Sequence, residues 1–240
     1  MKQERRDASF FSLSTYRVVR HNLGRFLRAC AKHPAALSKF LRIAAVLIDR
    51  VFQRSDYRRW AKPENLETWW EPRTKRIAEF IPRNSRVIEF GSGSRPLARH
   101  LDSSCTYFPS DLVYRGPGTL VCDLNKRPLP DLKSNLKPDI AVFAGVLEYV
   151  GDLPAVVEWL SHQVPVCVMS YTCAESPRGT MRGLVEVLSR TYYGYLNEYR
   201  EEEIIALFQS HGFVCVDKDR WTSQLIFRFT LSAQTVMSAL

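Results

Sequence analysis

Short apolar runs that end in glycine or acidic residues recur through the middle of the chain. Val87, Ile88 and Phe90 form the first run, between the polar residues 85–86 and a glycine turn. Runs of this length, bounded by turn residues, are typical of buried parallel strands. The same pattern predicts further strands at residues 106–110, 119–122, 139–144 and 164–170.

Helices are predicted between and around these strands. Their expected bounds are 15–32, 35–52, 73–81, 96–101, 153–162 and 198–211. Only eight residues, 111–118, separate the second and third strands, and residues 124–138 contain three prolines. A parallel crossover normally needs a dozen or more residues and a helix. We therefore expect loops instead of helices over this half of the sheet.

The end of the chain predicts an antiparallel strand pair. Residues 213–217 and 223–230 are strand-like and are joined by about five residues. So short a link can join only antiparallel strands. The fold class expected from the whole pattern is α/β, Rossmann-like, with a mostly parallel sheet and a terminal antiparallel hairpin.

Positive charge is concentrated at the start of the chain. The net charge of the 240 residues is +9, and residues 1–60 hold 14 Lys and Arg against 4 Asp and Glu. We therefore divide the chain into a basic amphipathic helical extension, 1–60, and a domain that contains the predicted sheet, 61–240. The extension could be a helical cap on the domain, could lie on an anionic membrane through residues 15–52, or could bind nucleic acid.

Two further features restrict the location of the protein. No stretch reaches the roughly 18–20 apolar residues needed to span a bilayer. The six cysteines lack metal-finger spacing and C-x-x-C pairs, so we predict no metal site and a reducing, cytoplasmic location. Peripheral contact with the inner face of the membrane is expected if the extension binds lipid.

Residues 55–72 are rich in aromatic side chains. The segment lies between the basic extension and the first predicted strand, and it contains Tyr57, Trp60, Trp69 and Trp70. These are too many aromatic residues for a plain tether, so the segment is expected to pack as core or as a lid over a substrate pocket.

Residues 85–99, SRVIEFGSGSRPLAR, combine a buried strand, a glycine turn and a possible helix start. A dinucleotide-binding G-x-G-x-x-G pattern is excluded because Pro96 stands at its last position. The pattern present is E-x-G-x-G, with Glu89 just before the turn. A carboxylate there suits a ligand with an amine and a sulfonium and would repel a pyrophosphate.

This stretch resembles the first motif of class I S-adenosylmethionine (SAM)-dependent methyltransferases, of the type that acts on small molecules or glycans. Three later features follow in the family's order: Asp111 after the second strand, CDLN at 122–125, and GVLEYVGDLPAVVEWL at 145–160. The resemblance covers about residues 73–230. It implies a class I methyltransferase fold, SAM as cofactor, and methyl transfer to a small or glycan-like acceptor.

The resemblance also implies which residues contact the cofactor. Gly91 and Gly93 would lie against its methionine part and Glu89 would orient it, while Asp111 would bind the ribose and Asp123 the adenine amine. The full implied set is Glu89, Gly91, Ser92, Gly93, Asp111, Leu112, Asp123, Leu124, Ala144 and Gly145. Arg95 departs from the family pattern, which has a small residue there.

Glu148 and Tyr149 are the first candidates for catalysis. Reacting groups gather where parallel strands end, and the histidines of the predicted core lie at the other edge of the sheet. Other candidates at the favourable edge are Asp152, Tyr171, Glu175, Asn197 and Glu198. The stretch 171–197 is expected to be a flexible cover lined by tyrosines. The expected acceptor atom is a hydroxyl oxygen, on a molecule that could be lipid-linked.

Two alternative functions remain open at this point. One is a binding module that keeps the fold without turnover, because Arg95 is unusual and no histidine base is well placed. The other is an RNA methyltransferase that uses the basic extension. The second is less favoured because the chain lacks the N-P-P-Y-type tetrapeptide of amino-directed nucleic-acid methyltransferases.

Overall fold

The computed structural model describes residues 34–66 and 68–232. The chain divides into two compact units, Met1–Ala45 and Val46–Leu240. The predicted helix at 15–32 lies outside the described residues. The second predicted helix is present as α1, Pro34–Val51. The second unit begins earlier than residue 61, where we placed the domain boundary, and that boundary stays a prediction.

A seven-stranded sheet forms the centre of the second unit. Its strands are β1 Arg86–Phe90, β2 Thr106–Asp111, β3 Leu120–Val121, β4 Ile140–Ala144, β5 Val166–Tyr171, β6 Phe213–Trp221 and β7 Gln224–Leu231. Their spatial order is β3-β2-β1-β4-β5-β7-β6. Neighbours among β1 to β5 pair in parallel, while β7 pairs antiparallel with both β5 and β6. The predicted mostly parallel sheet with a terminal antiparallel pair is confirmed.

Side chains from the two faces of the sheet form two hydrophobic clusters. Ile88 and Phe90 of β1 join the larger cluster, while Val87 points to the smaller one. This alternation follows from the two-residue period of a strand. Glu89 shares the face of Val87, so a carboxyl group is placed among apolar neighbours, and its burial must be balanced by polar contacts.

Helices cover the sheet unevenly. They are α2 Tyr57–Trp60, α3 Glu71–Ala78, α4 Leu132–Asn135, α5 Leu153–Ser161, α6 Met181–Tyr192 and α7 Glu201–Ser210. No helix lies between β2 and β3, and only the single turn of α4 lies between β3 and β4. The loops expected over this half of the sheet are therefore confirmed.

One local prediction was wrong: the helix expected at 96–101 is only a short 3-10 turn, Leu97–Arg99. The stretch 171–197, expected to be a flexible cover lined by tyrosines, contains the twelve-residue helix α6, which was not predicted, and its flexibility stays a prediction. Thr180 caps this helix, because its hydroxyl accepts a hydrogen bond from the backbone N–H of Gly183 at 3.0 Å.

None of the helices described in residues 34–66 and 68–232 is long and apolar enough to cross a bilayer.

Candidate active site

The carboxyl ends of the parallel strands open into one large cavity. Its volume is about 730 Å³, within the range of small-molecule sites. The glycine turn after β1 and the residues that follow β2, β3, β4 and β5 all line it. This is the edge at which open α/β sheets bind ligands.

The glycine turn after β1 lies close to the residues that follow the neighbouring strand β4. Its first residue therefore has no room for a side chain. Gly91 has a φ of +70°, and a Cβ there would lie 2.5 Å from Cγ2 of Val146. Gly93 has a φ of +50° and donates its N–H to Oδ2 of Asp111 at 2.9 Å. Between the two glycines, the buried Ser92 donates its N–H to Ser110 O at 2.9 Å. The hydrogen bonds to Ser110 and Asp111 anchor the turn to the end of β2. Both glycines line the cavity, so a ligand there meets backbone without a Cβ in the way.

Glu89 is buried in the cavity wall. It is 1% exposed, and the Tyr107 hydroxyl donates to its Oε2 at 2.5 Å. Burial raises the pKa of Glu89 to about 8, although the Tyr107 hydrogen bond and the charge of Arg73 act in the opposite direction. A cation placed in the cavity beside this carboxyl group would favour its ionised form.

Asp111 and Asp123 both lie in the cavity wall, and each is already hydrogen-bonded to the protein. Asp111 binds the backbone N–H groups of Gly93 and Val113 and lies 3.4 Å from Nε of Arg115. Their neighbours Leu112 and Leu124 also line the cavity. Both acids are thus located where the sequence places them.

Asp123 is held by a segment that the sequence did not assign to it. The hydroxyls of Ser55 and Tyr57 donate to its two carboxylate oxygens at 2.5 and 2.9 Å. We call residues 55–61 the strap. The strap continues to Trp60, whose carbonyl accepts a hydrogen bond from Arg115. Both acids therefore connect to the strap, Asp123 directly and Asp111 through Arg115.

Arg73, on α3, contacts the end of β4. It donates to Ala144 O at 3.0 Å and to Oε1 of Gln224 at 3.0 Å. A Cβ on Gly145 would lie 2.5 Å from its Nη1. Sequence reasoning missed Arg73, because one arginine among several in a helix carries no distinguishing signal.

Aromatic side chains form another part of the cavity wall. The Tyr149 ring packs edge-on against Trp60 at 5.0 Å and against Tyr195 at 5.3 Å, measured between ring centroids. The Arg59 guanidinium lies 4.5 Å from the Trp60 ring centroid. Burial raises the pKa of Tyr149, so its phenol stays neutral at physiological pH.

Glu148 does not have the position expected of a base. It is 1% exposed and is not among the cavity-lining residues. Its Oε1 accepts the N–H of Thr172 at 2.8 Å, so it ties the chain after β5 to the turn after β4. Glu148, our first candidate for catalysis, therefore lies behind the cavity wall, and a catalytic role for it stays a prediction.

The other candidates divide in the same way. Glu175 lines the cavity. Tyr171 and Asn197 hydrogen-bond each other in the core, Asp152 caps α5, and Glu198 pairs with Arg50 at 2.6 Å. Polar residues near the strand ends therefore include some that only stabilise the fold. Sequence spacing alone does not distinguish these from residues that line the cavity.

Arg95 points away from the cavity. Its Nη2 donates to Pro117 O at 2.9 Å and to Oγ1 of Thr119 at 2.8 Å. It therefore holds the loop between β2 and β3, and it is not among the cavity-lining residues. Arg95, at a position where the family has a small residue, therefore does not extend into the cavity beside the glycine turn.

The residues present fit SAM. A ligand with a sulfonium and an amine complements the buried carboxyl group of Glu89, and Gly91 and Gly93 line the cavity beside it. The acids after β2 and β3 and the backbone at Ala144 and Gly145 line the same cavity.

Comparison with known proteins supports this assignment. The family model described as "Methyltransferase domain" matches residues 46–218, more than half of the chain. No curated protein matches the sequence. Many solved structures do match.

Three structural neighbours illustrate the likeness. Mitomycin 7-O-methyltransferase MmcR has a TM-score of 0.58 at 12% identity, covering 83% of this chain and 69% of that chain. Human N-acetylserotonin methyltransferase, solved in complex with SAM, has a TM-score of 0.56 at 16% identity, covering 74% and 58%. A putative O-methyltransferase from Nostoc punctiforme PCC 73102 has a TM-score of 0.59 at 10% identity, covering 81% and 68%.

At these identities the likeness concerns the fold. The chain spans 58% of the human enzyme's chain and 56% of the chain of CalO1, a methyltransferase in calicheamicin biosynthesis. The match to the family model, by contrast, extends over most of the compact unit that contains the sheet. The chain therefore belongs to the methyltransferase domain family, and its fold is that of the class I SAM-dependent methyltransferases.

Proposed function

We propose that this protein transfers a methyl group from SAM to a hydroxyl oxygen of a small or glycan-like acceptor. One observation carries the proposal: a single cavity is lined by the glycine turn with its buried Glu89 and by the aromatic residues Trp60, Tyr149 and Tyr195. Cofactor and acceptor would then share one cavity. The O-methyltransferases among the structural neighbours support the oxygen acceptor.

The residues of the glycine turn would hold the cofactor. Glu89 would face its amine and sulfonium, and Asp111 and Asp123 would lie beside its nucleoside. When bound, SAM supplies a methyl group already activated for displacement. The main task of the protein is then to align the acceptor and exclude water.

Tyr149 is the side chain that we assign to the acceptor. It lines the cavity, its ring is fixed by Trp60 and Tyr195, and its neutral phenol can donate a hydrogen bond to an acceptor oxygen. Glu148 would support this arrangement indirectly, because it fixes the backbone of Thr172.

Calorimetry with SAM and S-adenosylhomocysteine (SAH) tests the cofactor part. We expect binding of both, weakened in Glu89→Gln and unchanged in Glu79→Gln, a matched control at an exposed glutamate of the same compact unit. No binding at millimolar SAM would contradict the proposal and favour a binding module without turnover.

Methyl-labelled SAM tests the acceptor part. Incubation with separated small-molecule, glycan and RNA fractions of a cell extract should label the small-molecule or glycan fraction. Labelling of RNA alone would contradict the proposed acceptor and favour a nucleic-acid methyltransferase that uses the basic extension.

We also propose a cytoplasmic location with peripheral contact to an anionic membrane through residues 15–52. In the described part of this region, the apolar side chains Leu47, Ile48, Val51 and Phe52 are exposed. Residues 34–62 carry seven basic and two acidic side chains. An apolar face beside excess positive charge matches an anionic lipid surface.

A further inference from the structure

Two arginines in the cavity wall are buried without a carboxylate partner. Arg73 and Arg190 are each 5% exposed, and both line the cavity. Within residues 34–66 and 68–232, no carboxylate oxygen lies within 4.0 Å of either guanidinium. This is unusual, because buried charges are normally paired.

The hydrogen bonds of both arginines go to neutral oxygens. Arg73 donates to Ala144 O and to the side-chain amide of Gln224. Arg190 donates to Thr172 O at 2.7 Å and to Asn197 O at 3.3 Å. The Nε atom of each is buried and has no hydrogen-bond partner among the described residues. The hydrogen bonds of each guanidinium therefore leave its positive charge without an anion in direct contact.

The nearest acids are engaged elsewhere. Glu89 accepts a hydrogen bond from Tyr107, and Glu148 accepts one from the N–H of Thr172. Both carboxyl groups attract Arg73 electrostatically and Glu148 also attracts Arg190, but neither acid forms an ion pair with either guanidinium within 4.0 Å. The two buried positive charges therefore lack a carboxylate in direct contact.

Arg73 and Arg190 belong to one connected part of the wall. Gln224, which accepts from Arg73, donates to Oγ1 of Thr172 at 3.2 Å, and the carbonyl of Thr172 accepts from Arg190. Thr172 follows the carboxyl end of β5 and itself lines the cavity. The Arg190 guanidinium also lies 4.9 Å from the centroid of Tyr195, so it adjoins the aromatic wall.

We propose that the methyl acceptor carries a carboxylate, which binds at Arg190 and Arg73 while its apolar or flat body lies against Tyr149 and Tyr195. The acceptor class is thus anionic. This inference rests on the proposed function, because the site lies in the same cavity. An anionic ligand would supply the counter-charge that the two guanidinium groups lack, and charge-assisted hydrogen bonds are among the strongest available.

Matched ligand pairs test the charge requirement. Benzoate and benzamide, and likewise glucuronate and glucose, differ by a carboxylate while keeping a similar body. With the full chain and saturating SAH, calorimetry should show that the carboxylate of at least one pair binds about ten- to hundred-fold more tightly than its neutral partner. Equal binding within both pairs, or binding of none of the four, would overturn the proposal.

Substitutions locate the carboxylate. Arg190→Met should remove the preference, while Arg182→Met, at an exposed arginine of the same helix, should keep it. Because Arg190 also holds two backbone carbonyls, Arg190→Lys is made in parallel. It keeps the charge but loses the planar fork, and we expect several-fold weaker carboxylate binding with SAH affinity retained. Unchanged carboxylate affinity in Arg190→Lys and in any folded Arg190→Met would contradict the assignment.

The cofactor itself carries a carboxylate, so Arg73 needs a separate experiment. SAH has an amino-acid group and 5′-methylthioadenosine lacks it. If Arg73→Gln weakens benzoate or glucuronate binding and leaves the ratio of SAH to methylthioadenosine affinity unchanged, Arg73 binds the carboxylate of the acceptor. If only that ratio falls, Arg73 binds the cofactor and its assignment to the acceptor is wrong.

The two proposals fail in distinguishable ways. If the wild-type protein does not bind SAH at all, the proposed methyltransferase function is contradicted. The carboxylate preference can still be measured, because that experiment can be run without SAH. Normal SAH binding together with no carboxylate preference would leave methyl transfer intact and remove only the anionic acceptor.

Discussion

Gly91 has a positive φ and lies close to Val146. Backbone strain and the clash with Val146 should both destabilise an alanine variant, and the two contributions to the free energy of unfolding can be separated. Gly91→Ala should lower the free energy of unfolding by about 1–3 kcal/mol from backbone strain, and further because its Cβ would meet Val146 at 2.5 Å. Gly118→Ala is the matched control, since Gly118 has a φ of +78° but a Cβ added there would have no neighbouring atom within 4 Å. Urea unfolding measures both variants, and equal losses would show that the contact with Val146 is unimportant.

Glu89 should make the stability of the protein depend on pH. Its pKa of about 8 in the folded state lies above the ordinary value of 4.5. Between these values the native state holds the proton and the unfolded state does not, so the free energy of unfolding falls as pH rises. The slope contributed by one group is at most about 1.4 kcal/mol per pH unit. Urea unfolding should show a flatter profile for Glu89→Gln and an unchanged one for Glu79→Gln.

The same carboxyl group should distinguish a sulfonium from a thioether. SAM and SAH share the amino-acid and nucleoside groups but differ in the charge on sulfur. If ionised Glu89 faces the sulfonium, the ratio of SAM to SAH affinity rises as pH approaches 8. Calorimetry across this range should give a constant ratio in Glu89→Gln. A constant ratio in the wild-type protein would contradict the placement of Glu89 beside the sulfonium.

At this scale the sequence predicted backbone-defined positions better than side-chain roles. Glu89, Gly91 and Asp111 were found because strand ends and glycine turns leave a local pattern. Arg73 was missed, and the sequence did not show that Glu148 lies outside the cavity lining, because both positions depend on long-range packing. Arg73 meets Gln224 across more than half of the chain. Local spacing contains no information about such a pair.

The strap, residues 55–61, shows how one short element can link cofactor and acceptor regions. It donates to Asp123 through Ser55 and Tyr57, and it places Trp60 against Tyr149. The strap is the first part of the aromatic segment 55–72, which the sequence predicted would pack because four large rings in an unstructured tether would be costly. It did not show where, because the hydrogen bonds of Ser55 with Asp123 and Asn125 join residues about 70 positions apart.

Removing the two hydroxyls should loosen the strap without removing its aromatic contacts. Ser55→Ala with Tyr57→Phe deletes two hydrogen bonds to Asp123, each worth about 0.5–3 kcal/mol depending on the charge of the acceptor. Amide hydrogen exchange of the strap should become faster, and SAH affinity should change because Asp123 loses two donors. Tyr114→Phe, at an exposed tyrosine, is the control. Unchanged exchange would mean that Trp60, and not Asp123, fixes the strap.

At the scale of the whole molecule, the fold was predictable because strand order in α/β proteins follows from short-range rules. Parallel neighbours need crossovers, and a short link forces antiparallel pairing. The sequence predicted a link of about five residues between the last two strands; in the structure β6 continues to Trp221, so the link is only residues 222–223. Helix α6 was not predicted, although its apolar residues Met181, Leu184, Val185 and Leu188 recur at helical spacing. In the structure all four are exposed, so helical periodicity does not indicate burial there.

The exposed apolar side chains of α1 lead to a test of membrane contact with the full chain. Vesicles containing anionic lipid should carry the protein upward in a flotation gradient, and neutral vesicles should carry much less, because positive charge and apolar burial act together. Replacing Ile48 and Val51 by Ser removes apolar area from the face that we assign to lipid, and binding to anionic vesicles should fall several-fold.

The matched control replaces Leu184 and Val185 of α6 by Ser. These residues are similarly exposed, but the helix carries less positive charge: residues 181–192 contain two arginines and one glutamate, against seven basic and two acidic residues in 34–62. If both double variants lose binding equally, exposed apolar area alone explains attachment and the basic segment has no special role. If neither loses binding while raised salt abolishes it, attachment is purely electrostatic, and the amphipathic character of α1 would then need another partner.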